Sequence, residues 1–331
     1  MFAYIIKRLL WLIPVVIGVS LILFGIMQLV PGNPAAIMLG TNITPEAVAA
    51  LNEKFGFNEP FYVRYFLMLK NFLTGELDSI YYGDKVINII GRRMTATIEL
   101  GSLSLIIAVL IAIPTGVIAA VKKNSLFDLF SMFIATIGIS VPAFFTGIIF
   151  IYLFSVYFQI LPSSGYGGRF WTLSGLRHLI LPAFSLSTVM IASTSRLTRS
   201  SMLDIMKEDY LVTARSKGVA EKIIILKHAF RNALIPIITN IGNQLAMMFG
   251  GAILIESVFA WPGVGRLAVK AVEFRDQPLV FGSILILSML YAVVNLSWRI
   301  RCNKWCHKGC IKNEGQNKYS NFTSITLIKF F

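Results

Sequence analysis

Charge is scarce in this chain. Only 14% of its 331 residues are charged, against 56% that are hydrophobic, whereas soluble domains carry about 25% charged residues. With a mean hydropathy of +0.73, a water-soluble globule would leave apolar surface uncovered, so the bilayer is the expected solvent. Acidic residues are scarcest, 16 against 30 basic ones, for a formal net charge of +14. On a soluble protein that excess would point to nucleic acid. Here Lys and Arg between membrane spans set topology instead, and no nucleic-acid partner is expected. Cysteine is absent from the body of the chain, which excludes a disulfide framework. Cys302, Cys306 and Cys310 stand with His307 near the end. Their C-x₃-C-H-x₂-C spacing is not a usual zinc pattern and no second ligand pair follows, so no metal site is read there. G-x-x-x-x-G-K-[ST], H-E-x-x-H and G-x-S-x-G are all missing, and His178, His228 and His307 are far apart. The chain therefore reads as a non-enzyme with no catalytic, cofactor-binding or metal residues.

What is present is a set of long apolar runs. A helix needs about 20 apolar residues to cross a hydrocarbon core of about 30 Å. Six stretches qualify: Leu9–Val30, Thr95–Val121, Phe130–Phe154, Leu179–Thr194, Leu234–Ile255 and Leu279–Leu296. The fourth is the shortest and contains Pro182. Pro14 and Pro114 also fall inside spans, which membrane helices tolerate. The first run is too long for a signal-peptide core and ends in Pro31-Gly32-Asn33-Pro34, so it reads as a retained anchor. Acidic residues are missing from mid-span; Glu99 lies near a span end. Carriers driven by protons or sodium usually keep ionisable groups at depth, so energy is expected from a partner.

Basic residues fix the orientation. Lys7, Arg8, Lys122 and Lys123 fall on one side, with a dense set from Arg196 to Arg231. By the positive-inside rule both termini are cytoplasmic and residues 31–94 are outside. In that loop Thr44-Pro45-Glu46 reads as a helix start, Val48, Leu51 and Phe55 follow at helical spacing, and Gly56 is a stop. A small external helical cap is predicted; a loosely ordered loop is the alternative. On the inside, Leu203, Met206, Tyr210 and Ala214 recur at spacings of three and four, and Gly218 then interrupts. Two short amphipathic helices form either a knob that docks into a partner's groove or a pair lying on anionic lipid; physics alone leaves both open. In the third outside loop, Trp261 suits an interfacial aromatic belt and the glycines allow a re-entrant turn. Glu256, Trp261, Gly263 and Arg266 are candidates for the mouth of a translocation path, with an ordinary interfacial loop as the alternative.

The residues resemble permease subunits of binding-protein-dependent ABC importers in the dipeptide/oligopeptide/nickel group. Glu208-Asp209-Tyr210, Thr213-Ala214-Arg215-Ser216-Lys217-Gly218, His228-Ala229, Arg231-Asn232-Ala233-Leu234 and Pro236 look like that family's "EAA" segment. Further matches are Pro31–Pro34, Phe55-Gly56 with Pro60, Leu161–Tyr166, Arg177–Pro182, Glu256–Phe259 and Trp261–Arg266, which together favour a B-type peptide permease. The family usually continues with more apolar residues after Leu296 and ends near Asp-Pro-Arg; here a basic, cysteine-bearing tail follows.

The resemblance implies an all-α polytopic membrane protein of the type I importer class with six transmembrane helices. It divides into an N-terminal helix (1–30), an external cap (31–94), a core of five spans (95–296) holding the coupling segment 201–232, and a divergent cytoplasmic tail (297–331). It implies coupling to partner ATPases through Glu208, Asp209, Tyr210, Thr213, Ala214, Arg215, Lys217, Gly218, His228, Arg231 and Asn232. The implied partners are a second homologous permease, two cytoplasmic ATP-binding subunits, an extracytoplasmic solute-binding protein and membrane lipid. The implied function is ATP-driven import of peptides by alternating access across the bacterial inner membrane, with nickel or metal-chelate, opine or glutathione import as the alternative. A secondary carrier or membrane-embedded enzyme is the rival class, which buried ionisable pairs in the spans would favour.

Overall fold

The computed structural model describes residues 2–29, 44–54, 56 and 58–310. Among them every regular element is helical, and an isolated bridge between Asp78 and Lys85 is the one β feature. The helices are α1 (Phe2–Leu29), α2 (Pro45–Lys54), α3 (Phe61–Thr74), α4 (Val86–Val121), α5 (Leu126–Ser140), α6 (Ala143–Tyr157), α7 (Leu173–Ile205), α8 (Asp209–Ser216), α9 (Glu221–Val258), α10 (Val264–Glu273) and α11 (Gln277–Cys310). α6 is π-wound over Ile151–Tyr157 and α9 over Ile224–Ala229.

Four described helices are long and apolar enough to cross a membrane: α4, α7, α9 and the Gln277–Trp298 part of α11. In α1 the apolar stretch Ile13–Leu29 is shorter. The span read as one helix over Phe130–Phe154 is in fact two, α5 and α6, bent by 107°. The cause is Pro142. Its ring disfavours helical backbone at the preceding residue, and Val141 is extended at φ −92, ψ 125. The span read as the shortest, Leu179–Thr194, is instead 33 residues long. Thr172 caps its start, accepting from Gly175 N at 3.0 Å, and its polar last turns hid its length from a hydropathy count.

α7 is the axis of the bundle and packs on α4, α5, α6 and α9. Small residues allow the close approach, as in other membrane helix pairs. At Gly116 of α4, an added Cβ would stand 2.6 Å from the Ser195 carbonyl oxygen of α7, and Ala112, Ala119 and Ala120 beside it are buried. One end of the bundle gathers the end of α4, the end of α7, α8 and the start of α9 in a single cluster that includes Ala120, Met202, Leu211, Ile224 and Ala233. At the other end Phe24 and Met27 of α1 and Tyr65 and Phe72 of α3 pack with Val264, Leu279 and Phe281. Asp276 is fully buried there. It accepts from Ser79 Oγ at 2.5 Å, Tyr81 N at 3.0 Å and Leu279 N at 3.0 Å, pinning the 79–81 loop to the start of α11.

The helical cap has two described helices rather than one. Thr44 Oγ1 accepts from Ala47 N at 3.3 Å at the start of α2, and Gly56 has φ +66. α3 was not anticipated. The Pro31–Pro34 motif, Phe55 and the Leu51 side chain lie outside the described residues.

α5 is tied down at its first turn. Ser125 Oγ accepts from Asp128 N at 3.3 Å, and Asp128 Oδ2 accepts from Asn124 N at 3.0 Å. Arg199 of α7 donates to both carboxylate oxygens, Nε to Oδ1 at 2.5 Å and Nη2 to Oδ2 at 2.7 Å. The Asp128 side chain is 4% exposed and that of Arg199 25%. The sequence showed no buried ion pair because these residues sit 71 positions apart.

The final helix does not stop at Leu296. α11 continues to Cys310, and Trp298 donates from Nε1 to the Ile238 carbonyl of α9 at 2.8 Å. A Cβ at Gly242 would fall on that indole, so the glycine makes its seat. Trp298 thus packs on α9 as part of the bundle. The side chains of Cys302, Cys306, His307 and Cys310 lie outside the described residues.

Candidate functional site

Two groups of residues stand out, one at each end of α9. At the first, α7 ends at Ile205 and α8 begins anew at Asp209. The stripe Leu203/Met206/Tyr210/Ala214 is therefore not on one helix. The restart shifts the phase, and Leu211 rather than Tyr210 points inward: Leu211 is 0% exposed, Tyr210 42%. Leu211 sits among Met202, Ile224 and Ala229. Ala214 is half-buried and packs on the same cluster.

The end of α8 follows from Gly218. It lies at φ +76, in the left-handed region, where glycine has no Cβ penalty. Gly218 N donates to Arg215 O at 2.9 Å and Val219 N to Ala214 O at 3.3 Å, which is the paired bond of a Schellman stop. Val219 and Ala214 both pack on the cluster, the apolar contact that accompanies this motif. Arg215 then grips Glu221 at the start of α9, Nε to Oε2 at 3.1 Å and Nη2 to Oε1 at 2.9 Å. Asn232 Nδ2 donates to the Tyr210 hydroxyl at 2.8 Å, and partial burial raises the Tyr210 phenol above its usual value, so it stays a neutral partner.

The structure thus brings Tyr210, Arg215, Gly218 and Asn232 into one unit. Glu208, Asp209, Thr213, Lys217 and Arg231 lie exposed around it, and His228 is half-buried. The outer face also carries Val212 (52% exposed), Ile223 and Leu226. Apolar side chains rimmed by charge suit a fitted protein contact. Among the described residues, no group of His, Cys, Asp and Glu could hold a metal ion.

The second group lies at the far end of α9 and is a buried knot. Glu256, Trp261 and Gly263 are buried, and Arg266 is half-buried. Glu256 Oε1 accepts from Thr97 Oγ1 at 2.7 Å, and Oε2 accepts from Arg266 N at 2.9 Å. Thr97 Oγ1 accepts in turn from Val264 N at 2.8 Å. Trp261 Nε1 donates to Ala96 O at 2.8 Å, and Tyr166 packs edge-on against the indole at 4.9 Å. At 0% exposure, Trp261 is a core residue and not a member of a water-interface belt. Gly263 is obligatory because a Cβ there would land on the Glu256 carboxylate. Glu99 sits well inside α4, within 3.4 Å of the Tyr166 hydroxyl.

Thr97→Val is the sharpest test of the knot. The shape is kept, but Glu256 loses a donor and the Val264 N–H loses its acceptor. Each stranded group is expected to cost about 1–3 kcal/mol, read as a fall in the thermal unfolding temperature of the purified protein. Thr97→Ser keeps the hydroxyl and should stay near the wild type; equal loss in both variants would show that the bonds are not what stabilises the turn.

Comparison with known proteins fixes the class. Residues 112–300 match the family described as binding-protein-dependent transport system inner membrane component, and residues 1–101 match its N-terminal counterpart. The chain belongs to this family. Over 318 residues it is 39% identical to the dipeptide transport system permease protein of Alkalihalophilus pseudofirmus, covering 89% of this chain and 96% of that one. Over 297 residues it is 38% identical to the glutathione transport system permease protein of Escherichia coli strain K12, covering 89% and 95%. The chain is therefore a multi-pass membrane permease component of an ABC importer, a transport subunit and not an enzyme, and it works within a complex of ABC components.

Proposed function

We propose that the chain forms half of the pore of an ATP-driven importer that carries di- or oligopeptides by alternating access. The partners are a second, homologous permease, two cytoplasmic ATPases and an extracytoplasmic solute-binding protein. The observation that carries this reading is the α8 unit, a short helix seated by Leu211, stopped at Gly218 and clamped by Arg215 to the start of α9. Such a unit transmits a push from a docked ATPase along α9 to the knot at Glu256 and Trp261, which holds the far end in register with α4. Glutathione, itself a peptide, is the second reading, supported by the glutathione permease relative. The test is uptake in proteoliposomes containing the whole complex. ATP-dependent accumulation of a labelled dipeptide supports the first reading, glutathione alone the second, and neither overturns both.

The proposed orientation places both termini and α8 in the cytoplasm and the cap outside. In a background where Cys302, Cys306 and Cys310 are replaced, an impermeant thiol reagent added to intact cells should modify Thr74→Cys, an exposed cap position, and spare Ser216→Cys, exposed on α8. The reverse pattern would invert the topology.

A further inference from the structure

A groove of about 230 Å³ lies between the end of α4 and the first turns of α9. Ile118 and Val121 of α4 and Ile225 and Leu226 of α9 are among its walls, and Lys122 and Lys222 complete it. The surface inside is all apolar. The lysines therefore line it with their carbon stems and hold their ammonium groups outside, as amphipathic side chains do. The volume is below the range of about 300–1,000 Å³ for pockets that enclose a drug-sized ligand, so the groove suits a segment of chain and not a whole small molecule.

On α4 the groove continues a stripe of exposed residues. Leu110, Pro114, Ile118 and Val121 follow at spacings of three and four, and Lys122 comes next. From Leu100 to Val121 the helix has no charged residue. At 1.5 Å per residue that run is about 33 Å long, one hydrocarbon thickness, which sets Lys122 at the level of the lipid headgroups. Lys222 reaches the same groove from a position 100 residues later in the chain. Both lysines are exposed, and among the described residues neither side chain has an ion-pair partner. Glu221, the acid next to Lys222, is taken by Arg215. Two like charges at the mouth of one apolar groove draw a shared counter-ion. An occupant that fits both parts has an apolar chain and a head with a net negative charge.

We infer that this groove binds an anionic phospholipid, with an acyl chain along the Leu110–Val121 stripe and the headgroup phosphate between Lys122 and Lys222. Basic pockets between membrane helices hold such headgroups elsewhere. A zwitterionic lipid is a poorer fit, because its own cation offsets the phosphate that the lysines attract. The bound lipid ties the end of α4 to the start of α9, directly beside α8. The inference depends neither on the identity of the solute nor on the orientation of the chain.

The experiment uses the assembled complex in phosphatidylcholine nanodiscs that contain a small share of phosphatidylglycerol with a photoreactive acyl chain. Crosslinks should map to residues 110–122 and 222–226. In Lys122→Gln/Lys222→Gln labelling there should fall at least about tenfold, the worth of two lysines facing an anionic headgroup, while Lys122→Arg/Lys222→Arg should keep most of it. Each single Gln variant should lose part, which holds the test open if the double variant folds poorly. Photoreactive phosphatidylcholine should label the groove no more than the Phe130–Phe133 surface of α5. Equal labelling by the two lipids overturns the inference, since the groove is then ordinary lipid-facing surface. So does full labelling in all the Gln variants. Displacement of the label by excess inorganic phosphate would mean an anion site without a lipid, and a disulfide from Ile118→Cys to another subunit would mean a protein seam; either overturns it as well.

Discussion

Gly218→Val is expected to abolish uptake while leaving the chain inserted and assembled. The backbone at φ +76 is one a β-branched residue adopts only with strain of about 1–3 kcal/mol. Nothing lies within 4 Å of the position a Cβ would take, so the effect is conformational and not a clash. The stop of α8 then has little to hold it. The Arg215–Glu221 pair is exposed, and water screens such pairs to little net effect. Relaxing the strain moves Val219 and the start of α9, while Leu211 stays anchored. The outer face of α8 shifts against any surface fitted to it, and an error of about 1 Å disables a fitted site. The measurement is uptake together with substrate-stimulated ATP hydrolysis in reconstituted complexes. Gly218→Asn, which tolerates the left-handed region, should keep both. If Gly218→Val also keeps both, α8 is not the coupling element.

Arg199→Ala is expected to be the most destabilising single change in the bundle. It leaves the Asp128 carboxylate, 4% exposed, without its cation, and breaking such a pair from one side costs about 3–5 kcal/mol. The reverse change is milder. Asp128→Asn keeps an oxygen for the Asn124 N–H, and Arg199, a quarter exposed, can turn its charge toward water or lipid headgroups. The asymmetry is the diagnostic. Thermal unfolding of the purified protein should rank wild type above Asp128→Asn and both well above Arg199→Ala. Equal losses would mean that the pair is not stranded on one side as the burial implies.

Much of this molecule was legible as text. Apolar length gave the all-helical membrane architecture, and the run from Glu208 to Pro236 gave the family. Gly218 was placed as a break from its neighbours alone. What failed were the features that depend on contacts distant in sequence. Hydropathy averages over Val141-Pro142 and so drew one straight helix where there are two, bent by 107°. The restart at Asp209 moved the inward phase from Tyr210 to Leu211, a shift that no periodicity carried across a break can register. Glu256 and Trp261 looked like groups at a surface because their partners, Thr97 and Ala96, lie 159 and 165 residues away in the chain. Leu296 looked like an end because composition changes there, yet Trp298 reaches back to Ile238.

The bend at Pro142 governs how the chain can be made. α5 has 15 residues, about 22 Å at 1.5 Å per residue, short of a hydrocarbon slab of about 30 Å; α6 is no longer. Neither half is a stop-transfer sequence by itself, and the kink keeps the two from adding end to end. The bilayer alone gives this stretch no settled resting depth as it leaves the ribosome. What fixes it is Arg199, which is synthesised 71 residues after Asp128. The expected consequence is that the bent α5–α6 pair settles only once α7 has been made and can dock it. A nascent chain halted before Arg199 should accordingly leave that pair open to proteases that the finished protein resists.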